Sequence, residues 1–131
     1  MVLEYLRERL LCNSGSAAQA RGILRRLSVP LVGPDLATVS LVLTELVANV
    51  VRHGCADSGA EMGVEIQRAP NLVRLEVSQP GPLYDLETIR HRSVGDERGY
   101  GVLLLDRLCR SWGLDHQNRL VWAEIAVDVE R

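Results

Sequence analysis

Glu45 and Asn49 stand four residues apart in the segment TELVANVVRHG, residues 44 to 54. On a helix that spacing puts both side chains on one face, one turn apart. An asparagine carbonyl is a hard-oxygen ligand that suits Mg²⁺, an ion that keeps several waters and takes few protein groups. A carboxylate one turn away can accept a proton from an attacking hydroxyl or water. Arg52 and His53 follow near the helix end, where each can meet a phosphate or simply stay solvated. Taken alone, Glu and Asn at this spacing also make an ordinary polar stripe on an amphipathic helix.

Two further places could share that chemistry. In Val77-Ser78-Gln79-Pro80-Gly81 a polar side chain ends a strand and a glycine follows. Gln79 can read the edge of a base there, and Gly81 lets the backbone pass close to a ligand. The same segment also makes a plain Pro-Gly turn. In Glu97-Arg98-Gly99-Tyr100-Gly101 the glycines precede an apolar helix. Backbone N–H groups and the positive dipole end at such a position suit phosphate. Arg98 can reach a phosphate or remain a solvated loop residue, and a lone Gly-x-Gly can equally be a loop.

The elements that must position these residues follow from patterning. At 131 residues the chain fits one domain, 1–131, with enough length to bury a core. A net charge of -2 and a pI near 5.9 leave no electrostatic footprint for nucleic acid. No apolar run reads as long enough to span a bilayer, and the opening MVLEYLRERLL lacks the features of a signal peptide. The three cysteines, Cys12, Cys55 and Cys109, have no metal-ligand spacing and read as reduced structural thiols of a cytoplasmic protein.

Residues 1–13 suit either a helix or a strand. Ala17 to Leu27 repeats apolar residues at helical spacing, and Ser28-Val29-Pro30 stops it. Gly33-Pro34-Asp35 opens the strongest helix, whose buried stripe is Leu36, Val39, Leu43, Leu46, Val47 and Val50, with Gly54 as its cap. Strands are expected over Gly63–Arg68, Leu72–Ser78, Trp112–His116 and Leu120–Val127, and a helix over Val102–Cys109. A short helical turn is expected near Leu86 to Ile89 within the polar stretch Tyr84 to Arg98. Trp112 and Trp122 read as packing residues. The fold class is α/β: a two-layer sandwich with a mixed, mostly antiparallel sheet and helices on one face.

Three segments in this order, ELVANVVRHG, VRLEVSQPGP and RGYGVLLLDRLCRSWG, with the closing strand LVWAE, resemble the GHKL or histidine-kinase-like ATPase domain, the Bergerat-type ATP-binding fold. Within it the chain looks like the small cytoplasmic branch of bacterial anti-sigma factors and serine-protein kinases, of the actinobacterial type, over about Ala17 to Val127. The resemblance implies ATP and Mg²⁺ as cofactors, with Asn49 on Mg²⁺ and Glu45 as the base. Arg52, His53 and Arg98 would lie near phosphate, and Gly99 and Gly101 would offer it backbone N–H groups. Gln79 and Gly81 would form the base end, and residues 84–98 the lid.

Two departures stand out: Gln79 where the family has an aspartate for the adenine amino group, and Leu83 where it has a second glycine. A neutral amide loses the charge-assisted part of that hydrogen bond, about 1 kcal/mol. The implied function is a cytosolic anti-sigma factor and serine/threonine kinase. Its partners would be a sigma factor and a STAS-type anti-anti-sigma protein, with no direct nucleic-acid or membrane partner. The alternatives are a degenerate domain that binds a protein partner, and a histidine-kinase fragment, for which no phospho-acceptor dimerisation helix is visible. Members often pair as homodimers, and Ala17 to Leu27 offers either an interface or a face packed on its own sheet.

Overall fold

The computed structural model describes residues 1–55, 59–83 and 100–128, with the backbone alone for Tyr100 and Gly101. The elements run β1 (Glu4–Leu11), α1 (Ser16–Leu24), α2 (Gly33–Asn49), a π-helical turn (Val50–Gly54), β2 (Glu61–Ala69), β3 (Leu72–Ser78), α3 (Tyr100–Leu108), β4 (Ser111–Asp115) and β5 (Leu120–Ala126). The strands form one sheet in the order β1-β2-β3-β5-β4. Every pairing among the described residues is antiparallel, where a mixed sheet was expected. This is the expected two-layer α/β sandwich. The turn expected at Leu86 to Ile89 lies outside the described residues.

Side-chain alternation decides which face of the sheet is covered. Met62, Val64, Ile66, Val73, Leu75, Val77, Ala123 and Ile125 point inward and are buried. Against them pack Val39, Val42, Leu43, Leu46, Val47 and Val50 of the long helix and Ala20, Ile23 and Leu24 of α1. With Leu27, those α1 residues are spent on the protein's own core, so the Ala17–Leu27 face is packed, not free. Leu36 is only partly buried at the margin of that stripe.

The N-terminal segment is a strand. Its inner face is half polar: Leu6 and Leu10 pack on the core, while Glu8 pairs with Arg26 at 2.7 Å and Glu4 accepts the Ser28 N–H at 2.6 Å. Its outer residues Tyr5, Arg7, Arg9 and Leu11 are exposed. The open face of the sheet is tied by Arg74, which reaches Glu76 at 2.8 Å and Glu124 at 2.9 Å and lies 4.7 Å over the Trp122 ring. Burial works against the charge on Arg74, but the hydrogen bonds to Glu76 and Glu124 outweigh it and raise the guanidinium above its ordinary pKa. Trp112 pairs with Ala123 and points inward, whereas Trp122 pairs with Gly113 and points outward.

α2 starts where Gly33 takes a positive φ of 55°, open to glycine at little cost, and Pro34 fills the first turn, where its missing N–H is not needed. Two expectations are corrected. First, Cys12 and Cys55 are not reduced thiols but a disulfide, with Cα atoms 6.3 Å apart across 43 residues of sequence. The ends of β1 and of the π-turn meet in space, which cysteine spacing alone does not reveal. Cys109 is the free thiol among the three. Second, Gly33–Gly54 is a continuous helix of 22 residues, long and apolar enough by length and composition to cross a membrane. The apolar stripe that gives it this composition is the one that packs on the sheet.

Candidate nucleotide site

The long helix delivers Glu45 and Asn49 as expected, both half-buried, from positions beside the buried pair Leu46 and Val47. Asn49 is the last α-helical residue; from Val50 the helix widens into a π-turn that carries Arg52 and His53 on the exposed side and buries Val50 and Gly54. Single π-turns are uncommon and recur at functional positions, because the extra residue per turn re-aims the side chains that follow. An Arg52 N–H donates to Asn49 Oδ1 at 2.7 Å, so a guanidinium rests on the carbonyl expected to face Mg²⁺.

The π-turn then abuts the turn after β3. Gly54 is not a simple helix cap: its carbonyl accepts the Gly81 N–H at 3.2 Å, and a Cβ placed on it would lie 2.5 Å from Gln79 Oε1 and 2.9 Å from Gln79 Cβ. The absence of a side chain at Gly54 is therefore what lets the two segments touch. A Cβ on Gly81 would in turn come within 3.2 Å of the Gly54 oxygen. Two glycines thus bring the helix end and the strand end to backbone contact.

Gln79 is held within that turn. Its amide N–H₂ donates to the carbonyls of Gly81 at 3.1 Å and Pro82 at 2.9 Å. Its backbone N–H donates to the Arg119 carbonyl at 2.9 Å, and Arg119 donates back to the Pro80 carbonyl at 2.6 Å. Arg119 holds a φ of 53°, a conformation that non-glycine residues adopt sparingly. An aspartate could accept hydrogen bonds at position 79 but could make neither of the two donations. The substitution read from the sequence is thus a change in what the turn uses for its own closure, and Oε1 is left against Gly54. Leu83, the other departure, is half-buried just beyond.

α3 packs beside α2. It begins at Tyr100, so Gly101 lies within its first turn instead of preceding it. Arg98, Gly99 and the expected lid, 84–98, lie outside the described residues. The structure therefore joins Asn49 to Arg52, and Gly54 to Gln79 and Gly81, in one continuous seam. Sequence reasoning did not single out Gly54 as the junction, Arg119 as the brace of the base-end turn, or the Cys12–Cys55 link. Only the glycine in Arg52-His53-Gly54 carried a usable signal, since a close backbone approach requires one.

The donor set suits a magnesium-phosphate group at one end of this seam: a hard amide oxygen at Asn49, a carboxylate one turn before it and a guanidinium one turn after. The base end fits an adenine less well, because Gln79 Oε1, the acceptor an adenine amino group would need, is turned against Gly54. Residues 13–123 match the family described as the histidine kinase-like ATPase domain. No curated protein matches the chain.

Proposed function

The chain belongs to the histidine kinase-like ATPase family, and from that premise we propose that it is an ATP-binding anti-sigma factor and serine/threonine kinase acting on an anti-anti-sigma partner. The observation that carries this reading is the run from Glu45 through Asn49 into the π-turn, which sets a carboxylate, an amide oxygen and a guanidinium in sequence along one helix end. Mg²⁺, when bound with ATP, supplies charge neutralisation for the phosphates. Asn49 would hold it through Oδ1. Arg52 sits one turn on, where its positive charge favours phosphate. Glu45 takes the proton of a serine or threonine hydroxyl on the partner as that oxygen bonds to the γ-phosphorus and the bond to the β-phosphate breaks, leaving ADP. Most of the catalysis is positioning by groups fixed on a packed helix. The reading also takes the chain as one domain that works in the cytoplasm, pairing with a sigma factor.

A specific observation favours a second reading, a regulator that binds its protein partner with weak nucleotide affinity. Gln79 commits its amide hydrogens to its own turn, which leaves its acceptor Oε1 against Gly54 instead of open to an adenine amino group. Titration with Mg-ATP separates the two: absence of binding at millimolar nucleotide sinks the kinase reading. If binding is found, Glu45→Ala is expected to lower phosphate transfer to a partner serine at least a hundredfold while leaving ATP affinity within about twofold. Equal loss of binding and transfer would contradict the role given to Glu45.

A further inference from the structure

We propose that the Cys12–Cys55 disulfide is a thiol-responsive clamp that fixes the π-turn against the base-end turn, so that its reduction loosens the nucleotide site. The two ends of the link differ in how they are held. Cys12 stands on a rigid post: its N–H donates to the Ala60 carbonyl at 2.8 Å, and the fully buried Ser16 beside it donates to the Leu11 carbonyl at 2.6 Å and accepts the Asn13 N–H at 2.9 Å. Cys55 directly follows Gly54, the residue that touches Gln79 and Gly81. The link therefore anchors to β1 a turn whose own hydrogen-bond geometry is the less favourable π type.

Three features make this more than a staple. The link lies one residue from the seam between the phosphate and base ends, not at a remote corner. Both cysteines are only partly buried, at the margin of the core and not sealed within it. The third thiol, Cys109, is half-buried with its pKa pushed up to about 11, first by burial and then by Asp106, and so stays out of exchange.

The exchange is balanced by a dithiol reductant. Its thiolate attacks one sulfur of the pair, the S–S bond breaks, and the second reductant thiol resolves the mixed disulfide. Two electrons and two protons pass to Cys12 and Cys55, and the reductant leaves as a disulfide. The effect on nucleotide rests on the function proposed above; the effect on the π-turn does not.

The test uses the full chain, oxidised or treated with dithiothreitol, and reads amide hydrogen exchange and binding of a fluorescent ATP analogue with Mg²⁺. Oxidised protein should titrate one thiol after denaturation and reduced protein three. Reduction should speed exchange at Arg52 to Cys55 at least tenfold and weaken analogue binding at least threefold. The Cys12→Ser/Cys55→Ser protein should match the reduced one and ignore dithiothreitol, while Cys109→Ser should keep the full response. Three thiols under oxidising conditions, unchanged exchange, or faster exchange with unaltered affinity would each overturn the clamp. Faster exchange with no analogue binding in either state would instead remove the nucleotide reading and keep the clamp on the turn.

Discussion

Gly54→Ala probes the contact on which the whole site depends. The new Cβ would fall 2.5 Å from Gln79 Oε1, 2.6 Å from Cδ and 2.9 Å from Cβ. Swinging the amide aside relieves the first two contacts but not the third, because the root of the side chain is fixed to its backbone. Displacing the amide forfeits two neutral hydrogen bonds, to Gly81 and Pro82, at about 1 kcal/mol each. Residual overpacking adds about 1 kcal/mol or more, while alanine's better helix propensity returns up to about 1 kcal/mol. The net is a destabilisation of about 2 kcal/mol, which for a chain of this size lowers Tm by about 7 °C. The decisive measurement is a double-mutant cycle in thermal or urea unfolding. In a Gln79→Ala background the amide is absent and only the 2.9 Å contact with the Cβ of residue 79 remains, so the cost of Gly54→Ala should fall by about 2 kcal/mol to near zero. An equal cost of Gly54→Ala in both backgrounds would refute the packing argument, and a neutral Gly54→Ala in the parent would refute it outright.

Arg52→Ala should free Asn49 Oδ1, and at saturating ATP the Mg²⁺ concentration for half-maximal binding should fall about fivefold, the equivalent of about 1 kcal/mol for the lost exposed hydrogen bond; an unchanged Mg²⁺ midpoint would count against competition at that carbonyl. Asp115 is held below the ordinary carboxylate range, first by the side-chain hydrogen bond from Asn118 at 2.8 Å and then by the Asn118 backbone N–H at 3.0 Å. Its folded pKa is depressed, so its stabilisation is present above the unfolded pKa and is lost as pH falls through the folded one. Asn118→Ala should raise the Asp115 pKa part of the way back, read by NMR titration of the carboxyl, and the stability gap between the two proteins should close at the acid end of that window.

How legible the protein was depended on whether a feature is local. β3 could be read to the residue, Leu72–Ser78, because its inner Val73, Leu75 and Val77 alternate cleanly with polar neighbours. β1 could not, because Glu4 and Glu8 share the inner face with Leu6 and Leu10 and find partners only at Ser28 and Arg26 in the folded chain. The long helix and its buried stripe were plain from periodicity. Its π-turn was not, since nothing in the periodicity marks an extra residue per turn, and the contacts of Gly54 with Gln79 and Gly81 form only in the fold. The disulfide was hidden for the same reason: its cysteines become neighbours only when β1 and the helix end lie side by side. At Gln79 the sequence suggested a weaker acceptor for a ligand, whereas in the fold its hydrogens close the turn.

The opposite facing of the two indoles has a practical consequence for following this molecule in solution. The chain holds two tryptophans and no more. Trp112 donates its ring N–H to Asp106 of α3 at 2.8 Å, beneath the helices, so its emission should respond to any shift of α3 over the sheet. Trp122 lies under Arg74 on the face that no described helix covers, away from α3. Single-tryptophan variants would therefore report the two layers separately, one as a built-in gauge of the helix that begins at Tyr100 and the other as an internal reference for the sheet.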